Sequence, residues 1–249
     1  KGFVINETVL DEINKWGDIC DDLHTDLHEC LGHGSGRLLQ GVSPDALKAY
    51  GNVIEEARAD LFGLYYIADK KLVDLGLTPN MEAYKSQYYT YMMNGLMTQL
   101  VRVKQGNCIE EAHMRNRALI AYWTLEHSGG AVELVKENGK TFVRINDYGT
   151  LRDCFAKLLA EVQRIKSTGD FEAARELVEK YAVNINQGLH EEMLERYASL
   201  NIAPYKGFLN PKMSLVKDSE GKVVDVDLDY TETYTEQMLR YSKEYSTLI

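Results

Sequence analysis

The stretch His28–His33, with the sequence His-Glu-Cys-Leu-Gly-His, brings together residue types that bind a metal ion and activate water. A pair of carboxylates, Glu55 and Glu56, follows 22 and 23 positions after the second histidine. Zinc in hydrolases commonly takes three protein ligands, often two His and one Glu, and leaves a fourth position for water. The stretch therefore predicts a zinc site of the hydrolytic kind rather than scattered polar residues on a solvated helix.

The spacing of the two histidines predicts a local distortion of the helix that carries them. In the commoner motif His-Glu-x-x-His the rings are four residues apart and share one face. Here they are five residues apart, which on a regular helix turns His33 about 140° away from His28 instead of about 40°. We therefore expect a π-type bulge between them, a feature frequent at functional sites. Gly32 lies where a residue without Cβ best tolerates such a backbone.

Glu29, beside the first histidine, is predicted to be a general base rather than a ligand. Adjacent helical positions point about 100° apart, so Glu29 and His28 do not reach the same ion. The carboxylate can instead reach a metal-bound water, which is the place of a general base. A structural zinc site closes all four positions with ligands. Glu29 therefore favours an enzyme over the alternative of a non-catalytic, metal-stabilised binding module.

The motif at residues 28–33 and the motif Glu-Glu-Ala-Arg-Ala-Asp at residues 55–60 resemble the signature of the dipeptidyl peptidase III family of zinc exopeptidases. The resemblance implies one Zn²⁺ ion per chain, held by three ligands: His28, His33 and Glu56. It implies that Glu29 is the catalytic base. It also implies that Glu55 and Asp60 accept hydrogen bonds from the ligand imidazoles, an arrangement common around protein-bound metals.

A third stretch, Ala112-His113-Met114-x-x-Arg117, is similar to a further conserved stretch of the same family. There the histidine stabilises the reacting carbonyl of the substrate and the arginine contacts the peptide. The resemblance therefore implies a catalytic role for His113 and a substrate-binding role for Arg117. The two residues are four apart, so one helix can present both to one cleft.

The apolar pattern predicts a mainly α-helical fold with one or two small β-hairpins. Helices are predicted at about 8–31, 52–69, 81–104, 108–127, 150–166, 170–182, 188–199 and 231–246. Hairpins are predicted over about 132–145 and 212–228, and a loop over 204–211. The first predicted segment forms either one helix or two helices divided at Gly17. Asn52 is expected to cap the second predicted segment, and Asn138-Gly139 to form the first hairpin turn.

Other residues of these segments are predicted to have structural roles. The apolar stripe on the third helix is predicted to be core: Tyr88, Met92, Leu96 and Leu100. Cys30 is predicted to pack rather than to bind metal. His24, four residues before His28, is predicted to lie on the surface or beside the ligands, because Glu56 is the better-supported third ligand.

Composition excludes several functional classes. The chain has 249 residues, of which 45% are hydrophobic and 27% charged, as in ordinary globular proteins. We expect one catalytic domain over residues 1–249. The net charge of −10 without a Lys/Arg cluster argues against nucleic-acid binding. The sequence contains no run of about 18 apolar residues, the length that a membrane-spanning helix needs. Four cysteines without pairing motifs are typical of a cytoplasmic protein with reduced thiols.

The resemblance implies that the enzyme releases dipeptides from the N-termini of short peptides, which are its expected partners. Members of the family are much longer than this chain. We therefore expect a C-terminal catalytic fragment whose second partner is an N-terminal lobe of the same protein. The alternative within the same class is a zinc peptidase or hydrolase with a different cleavage specificity.

Overall fold

The computed structural model describes residues 2–202 and 209–247. The chain forms two compact units, Lys1–Asn201 and Ile202–Ile249. The motifs of the predicted metal site lie in the first unit. That both units belong to one catalytic domain over residues 1–249 stays a prediction.

The first unit is built from helices and one small antiparallel hairpin, which confirms the mainly α prediction. Its α-helices are α1 (Glu7–Leu27), α2 (Gly51–Ile67), α3 (Lys70–Asp74), α4 (Tyr84–Leu96), α5 (Ala112–His127), α6 (Tyr148–Thr168), α7 (Phe171–Tyr181) and α8 (Gln187–Ser199). A π-helical turn covers His28–His33, and 3₁₀-helices cover Lys48–Tyr50 and Thr98–Arg102. The hairpin consists of β1 (Val132–Glu137) and β2 (Lys140–Ile145).

Helix α2 is the centre of the first unit and packs against α1, α5 and α6. It is apolar on most sides, and its residues Ile54, Leu61 and Leu64 have no exposed surface. Burying each such side chain stabilises the fold by about 1.5–3 kcal/mol. Because α2 also carries Glu55 and Glu56, this packing fixes the acidic motif against its neighbours.

Helix α1 is continuous over Glu7–Leu27, so of the two alternatives the one with a division at Gly17 is wrong. A glycine inside a helix costs about 1 kcal/mol relative to alanine. The buried face of α1, which includes Cys20 and Leu23, outweighs that cost. The helix therefore reaches the first motif histidine without a break.

The predicted helix over 81–104 is shorter in the structure. Helix α4 ends at Leu96 because Met97 leaves the helical region, with φ −135° and ψ −67°. The side-chain amide of Gln99 donates at 3.0 Å to the carbonyl of Gly95, which a continued α-helix would have paired with a backbone N–H. The predicted core stripe is confirmed, since four side chains have no exposed surface: Tyr88, Met92, Leu96 and Leu100.

Two details of the helix boundaries also differ from prediction. Helix α2 begins at Gly51 and not after a cap at Asn52, because the 3₁₀-helix Lys48–Tyr50 leads directly into it. Helix α3 was not predicted. It is capped by Asp69, which accepts a hydrogen bond from the N–H of Lys71 at 2.8 Å, and its five residues are too few to show a helical period.

The first hairpin turns at Asn138-Gly139, as predicted from this Asn-Gly pair. Strands β1 and β2 are antiparallel, with Glu137 opposite Lys140. Asn138 has φ 50° and Gly139 has φ 76°. Positive φ at both central residues is what a two-residue type I′ turn requires.

The second unit, within residues 209–247, consists of β3 (Lys212–Lys217), β4 (Val223–Asp229) and α9 (Tyr234–Tyr245). The strands pair antiparallel and confirm the second predicted hairpin. Of the predicted loop at 204–211, residues 204–208 lie outside the described residues. In neither unit does a described helix have the length and apolarity needed to cross a membrane.

Candidate metal centre

The two motif histidines lie on a single π-helical turn that continues α1 over His28–His33. The wider turn brings both rings to one side of the helix, so that their Nε2 atoms are 3.1 Å apart. The rings meet edge to face, with centroids 4.7 Å apart. The predicted widening of the helix is confirmed.

Gly32 allows the π-helical turn to lie directly against α2. A Cβ at this position would be 2.6 Å from the Cα of Ala59, closer than side-chain carbons approach backbone in folded proteins. Gly32 does not adopt a positive φ. The glycine is therefore needed for close packing, whereas the sequence had suggested tolerance of a distorted backbone.

Arg58 holds the end of the π-helical turn from α2. This side chain is fully buried and donates to the carbonyl oxygens of Gly32 at 2.6 Å and Ser35 at 3.1 Å. The N–H of Gly34 returns to the carbonyl of Glu29 at 3.2 Å. These bonds satisfy carbonyls that a helix end leaves unpaired and fix the turn against the acidic motif.

Glu56 on α2 faces the two histidines. Its Oε2 atom is 3.4 Å from Nε2 of His28 and 3.8 Å from Nε2 of His33. This oxygen is buried and accepts no hydrogen bond from the described residues. Zinc at about 2.0–2.2 Å from its ligands holds tetrahedral partners about 3.3–3.6 Å apart. The three separations here, 3.1, 3.4 and 3.8 Å, lie on both sides of that spacing, so shifts of a few tenths of an ångström bring the three atoms around one zinc ion. An oxygen without a hydrogen-bond donor is the kind of group that such an ion satisfies.

Two other groups of side chains could also hold a metal ion, because within each group the potential ligand atoms lie within 4.8 Å of one another. The first group is His24, His28 and Asp60, and the second is His28, Glu29 and His33. In the first group, Asp60 Oδ1 is 2.7 Å from Nδ1 of His28. That is a hydrogen-bond distance, shorter than the separation of two ligands around one zinc ion. In the second group, Glu29 is exposed and lines an open cleft beside His28.

Asp60 orients the ring of His28. The Nδ1–H of His28 donates to Oδ1 of Asp60 at 2.7 Å, which leaves Nε2 facing Glu56. Burial lowers the pKa of His28, but the hydrogen bond to Asp60 and the surrounding carboxylates raise the pKa above its ordinary value. Burial alone would raise the pKa of Asp60, but hydrogen bonds from His24 and His28 hold that pKa well below its usual range. Asp60 is therefore ionised.

Glu55 has the same relation to the second histidine. The Nδ1–H of His33 donates to Oε1 of Glu55 at 2.9 Å. Glu55 also accepts from Arg58 at 2.8 Å and from the ammonium of Lys166 on α6. Burial raises the pKa of Glu55, but these three hydrogen bonds outweigh it and lower the pKa to about 2. Each imidazole thus has one carboxylate on α2 within hydrogen-bond distance.

Asp60 has further partners that the sequence reasoning did not single out. Its Oδ2 atom accepts from the hydroxyl of Tyr91 at 2.7 Å and from the amide of Asn116 at 2.8 Å. Asn116 lies three residues after His113 on one helix face, a pattern that could have pointed to it. His24 is buried and its Nε2 is 3.3 Å from Oδ1, so it lies beside the ligands, and the surface alternative is wrong.

His113 and Arg117 lie at the start of α5. The helix begins at Ala112, later than predicted, because the carboxylate of Glu111 accepts from the N–H of His113 at 2.9 Å and so caps it. Nδ1 of His113 is 3.3 Å from Oε2 of Glu56, and more than half of its side chain is exposed. Arg117 is one turn further along the same face. The structure thus places His113 at the edge of the candidate centre.

A polar cleft of about 380 Å³ opens beside His28. Besides the residues around His28, its lining includes Glu29, His113 and Arg117, all three singled out from the sequence. Its α4 wall approaches α5 closely at Gly95, where a Cβ would be 2.6 Å from the Cβ of Ala121. The structure therefore brings the predicted base, the predicted carbonyl stabiliser and the predicted peptide contact around one space.

The cysteines are free thiols. Cys20 and Cys154 are buried, whereas Cys30 and Cys108 are exposed. The prediction that Cys30 packs in the interior is wrong, because the π-helical turn directs this side chain to solvent. None of the four lies in a candidate ligand group of the described chain.

Two imidazoles and a half-buried carboxylate aimed at one point, beside a cleft with a further acid and a further imidazole, are typical of metal-dependent hydrolases. The sequence matches the family model of Peptidase family M49 over residues 45–238. The chain belongs to this family. The match includes the acidic motif and the stretch with His113, and it begins after the π-helical turn.

The fold is similar to two solved structures. One is DPP III from Caldithrix abyssi, with 26% identity, a TM-score of 0.53, and coverage of 70% of this chain and 31% of that chain. The other is dipeptidyl-peptidase III from Corallococcus sp. strain EGB, with 24% identity, a TM-score of 0.55, and coverage of 71% and 31%. This chain therefore spans about a third of the length of both proteins.

Proposed function

We propose that this chain forms the zinc centre of a dipeptidyl peptidase III-like enzyme that releases dipeptides from the N-termini of short peptides. The observation that carries the proposal is the Oε2 atom of Glu56. It is buried and accepts no hydrogen bond from the described residues. It faces Nε2 of His28 at 3.4 Å and Nε2 of His33 at 3.8 Å, and Nδ1 of the exposed His113 is 3.3 Å away. An unpaired buried acceptor costs about 1–3 kcal/mol, and one Zn²⁺ ion held by His28, His33 and Glu56 removes that cost.

Glu29 is the proposed general base. Zinc, when bound, lowers the pKa of water from 15.7 to about 7 and polarises the scissile carbonyl. Glu29 takes the proton of the attacking water and later delivers it to the leaving amine, a role that typically contributes about 10²–10⁴-fold. Its exposed position in the cleft beside His28 gives the carboxylate access to both water and substrate.

His113 and Arg117 act on the substrate in this proposal. An N–H of His113 donates to the scissile carbonyl oxygen as that oxygen gains negative charge. Losing one such donor typically costs about 2.7–4 kcal/mol. Arg117, one turn along α5 in the same cleft, presents a planar guanidinium that suits a peptide carbonyl or carboxylate. The two side chains together hold the peptide across the centre.

The dipeptide specificity is supported by the motif resemblance and by the similarity to DPP III from Caldithrix abyssi. Since this chain spans 31% of that protein, we place the groups that pair with the substrate's ammonium on an N-terminal lobe outside these 249 residues. A cytoplasmic location belongs to the same proposal, and the free thiols support it.

The test uses the full-length protein. Metal analysis should find one zinc per chain, and the protein should release an intact dipeptide from a dipeptidyl-arylamide. Removing the metal with a chelator should abolish the reaction, and adding zinc should restore it. A protein without zinc would contradict the metal assignment. Release of a single amino acid, identified by mass spectrometry, would instead support a peptidase of different cleavage specificity.

A further inference from the structure

The carboxylate of Asp60 is buried and is surrounded by four groups from three neighbouring helices. On one side, Oδ1 is 2.7 Å from Nδ1 of His28 and 3.3 Å from Nε2 of His24. On the other side, Oδ2 accepts from the hydroxyl of Tyr91 on α4 at 2.7 Å and from the amide of Asn116 on α5 at 2.8 Å. Tyr91 also lines the cleft beside His28, and Asn116 is buried.

We propose that Tyr91 and Asn116 are positioning residues, which hold the zinc ligand His28 through Asp60. The inference rests on the proposed function, because it takes His28 as a ligand. In addition, the orientation of the His28 ring depends on hydrogen-bond donors from α4 and α5, and Asn116 fixes the position of α5 relative to the metal.

Two imidazoles compete for Oδ1 of Asp60. His28 is the nearer, at 2.7 Å, and His24 is at 3.3 Å. A carboxylate that is free to rotate can turn towards either ring. Two donors on Oδ2 from separate helices fix the carboxylate plane and keep Oδ1 on His28. Hydrogen bonds to an ionised acceptor are roughly twice as strong as neutral ones, so the loss of either donor weakens this restraint.

Asn116 adds a link between the metal and the substrate-facing helix. It is buried, and it lies between His113 and Arg117 on α5. Its Oδ1 has no hydrogen-bond partner among the described residues, so the amide is held through its bond to Asp60. Since α5 carries the two residues that line the cleft, this bond fixes their position relative to His28.

The test for Tyr91 has a matched control on the same helix. Tyr91→Phe removes the hydroxyl that donates to Asp60, and Tyr88→Phe removes one that donates to the carbonyl of Leu64 at 2.7 Å. Both tyrosines are buried residues of α4. In full-length zinc-loaded protein mixed with excess chelator, Tyr91→Phe should release zinc about 3–10-fold faster than wild type. The loss of a direct hydrogen-bond partner of a ligand typically has an effect of about 10–100-fold.

Tyr88→Phe should release zinc at the wild-type rate. Equal rates in the two variants would overturn the role of Tyr91. A wild-type protein that binds no zinc would overturn the proposed function itself. Zinc binding by wild type together with an unchanged release rate in Tyr91→Phe would overturn only the positioning role.

Asn116→Ala tests the second link, with Thr124→Ala as its control. Thr124 is a buried polar residue of α5 that makes no contact with Asp60 among the hydrogen bonds described for that carboxylate. Asn116→Ala should accelerate zinc release and also raise KM for a dipeptidyl-arylamide at full zinc loading, whereas Thr124→Ala should leave KM unchanged. A KM equal to that of Thr124→Ala would overturn the link to α5.

A spectroscopic readout tests the network without turnover. In NMR spectra of the protein, the Nδ1–H proton of His28 should be protected from solvent exchange by its bond to Asp60. The exchange should be faster in Tyr91→Phe and in Asn116→Ala, and unchanged in both control variants. Wild-type exchange in Tyr91→Phe and Asn116→Ala would overturn the inference, whatever their activity.

Discussion

At the scale of single residues, the candidate centre depends on how each imidazole uses its two nitrogens. His28 and His33 direct Nδ1 to carboxylates on α2, at 2.7 and 2.9 Å. This fixes the tautomer and leaves both Nε2 atoms for a shared partner. Glu56 faces the same point and has no hydrogen bond from the described residues. We therefore expect Glu56, and not the neighbouring acids, to determine metal binding.

Replacing Glu56 tests this expectation. Glu56→Gln should weaken zinc binding by more than about 100-fold, because the amide oxygen carries no charge and the effect should exceed that of losing an outer hydrogen-bond partner. His24→Ala should retain one zinc per chain, because His24 contacts Asp60 and not the shared point. Zinc content of the purified full-length variants is the measurement. Equal loss of metal from both would show that the ligand set is wrong.

Replacing Glu29 tests whether this residue is a general base or a metal ligand. Glu29→Ala should keep the zinc and lower kcat/KM by about 10²–10⁴-fold, because the residue acts on water and not on the ion. Asp26→Ala is the control, since Asp26 is an exposed acid of the same helix. Zinc content and dipeptidyl-arylamide hydrolysis are measured on the same preparations. If Glu29→Ala is purified without metal, Glu29 belongs to the coordination sphere.

At the scale of elements, the site depends on the contact between the π-helical turn and α2. The turn presents both rings to one side, and Gly32 brings it against Ala59. Arg58 then holds its last carbonyls from α2. The distance between the histidines and Glu56 is thus set by a backbone contact, and not by the long side chains alone.

A pair of glycine substitutions tests that contact. Gly32→Ala should lower the free energy of unfolding by about 1–3 kcal/mol, because its Cβ has no room beside Ala59. Gly17→Ala in α1 should raise it by up to about 1 kcal/mol, since its Cβ would make an ordinary contact at 3.4 Å with Ile13. Urea denaturation of the metal-free protein measures both. Similar stabilities for the two variants would show that the turn does not need the close approach.

At the scale of the whole molecule, the centre draws on helices that are distant in the sequence. The widening between His28 and His33 could be predicted because it follows from helix geometry and one spacing. The hydrogen-bond partners of the carboxylates Asp60 and Glu55 could not be predicted in this way. Asn116 is 56 positions from Asp60, and Lys166 is 111 positions from Glu55. These contacts arise from tertiary packing, which no local pattern encodes.

The parts of the fold that can be predicted are likewise those that a local pattern encodes. The Asn138-Gly139 turn follows from two residues that adopt positive φ at low cost. The end of α4 at Leu96, where Met97 leaves the helical region and the side chain of Gln99 pairs with the carbonyl of Gly95, has no comparable local signal. The exposure of Cys30 depends on the π-helical turn, which changes the direction of the residues after His28. Periodicity describes regular helices, so it fails where the helix is interrupted.

The most direct measurement of the central claim is a crystal structure of the full-length protein, with anomalous data collected on both sides of the zinc absorption edge. We predict one zinc peak in the described centre, at about 2.0–2.2 Å from Nε2 of His28, Nε2 of His33 and Oε2 of Glu56. A peak bound by Glu29, a peak between His24 and Asp60, or the absence of a peak in zinc-replete crystals would contradict the account.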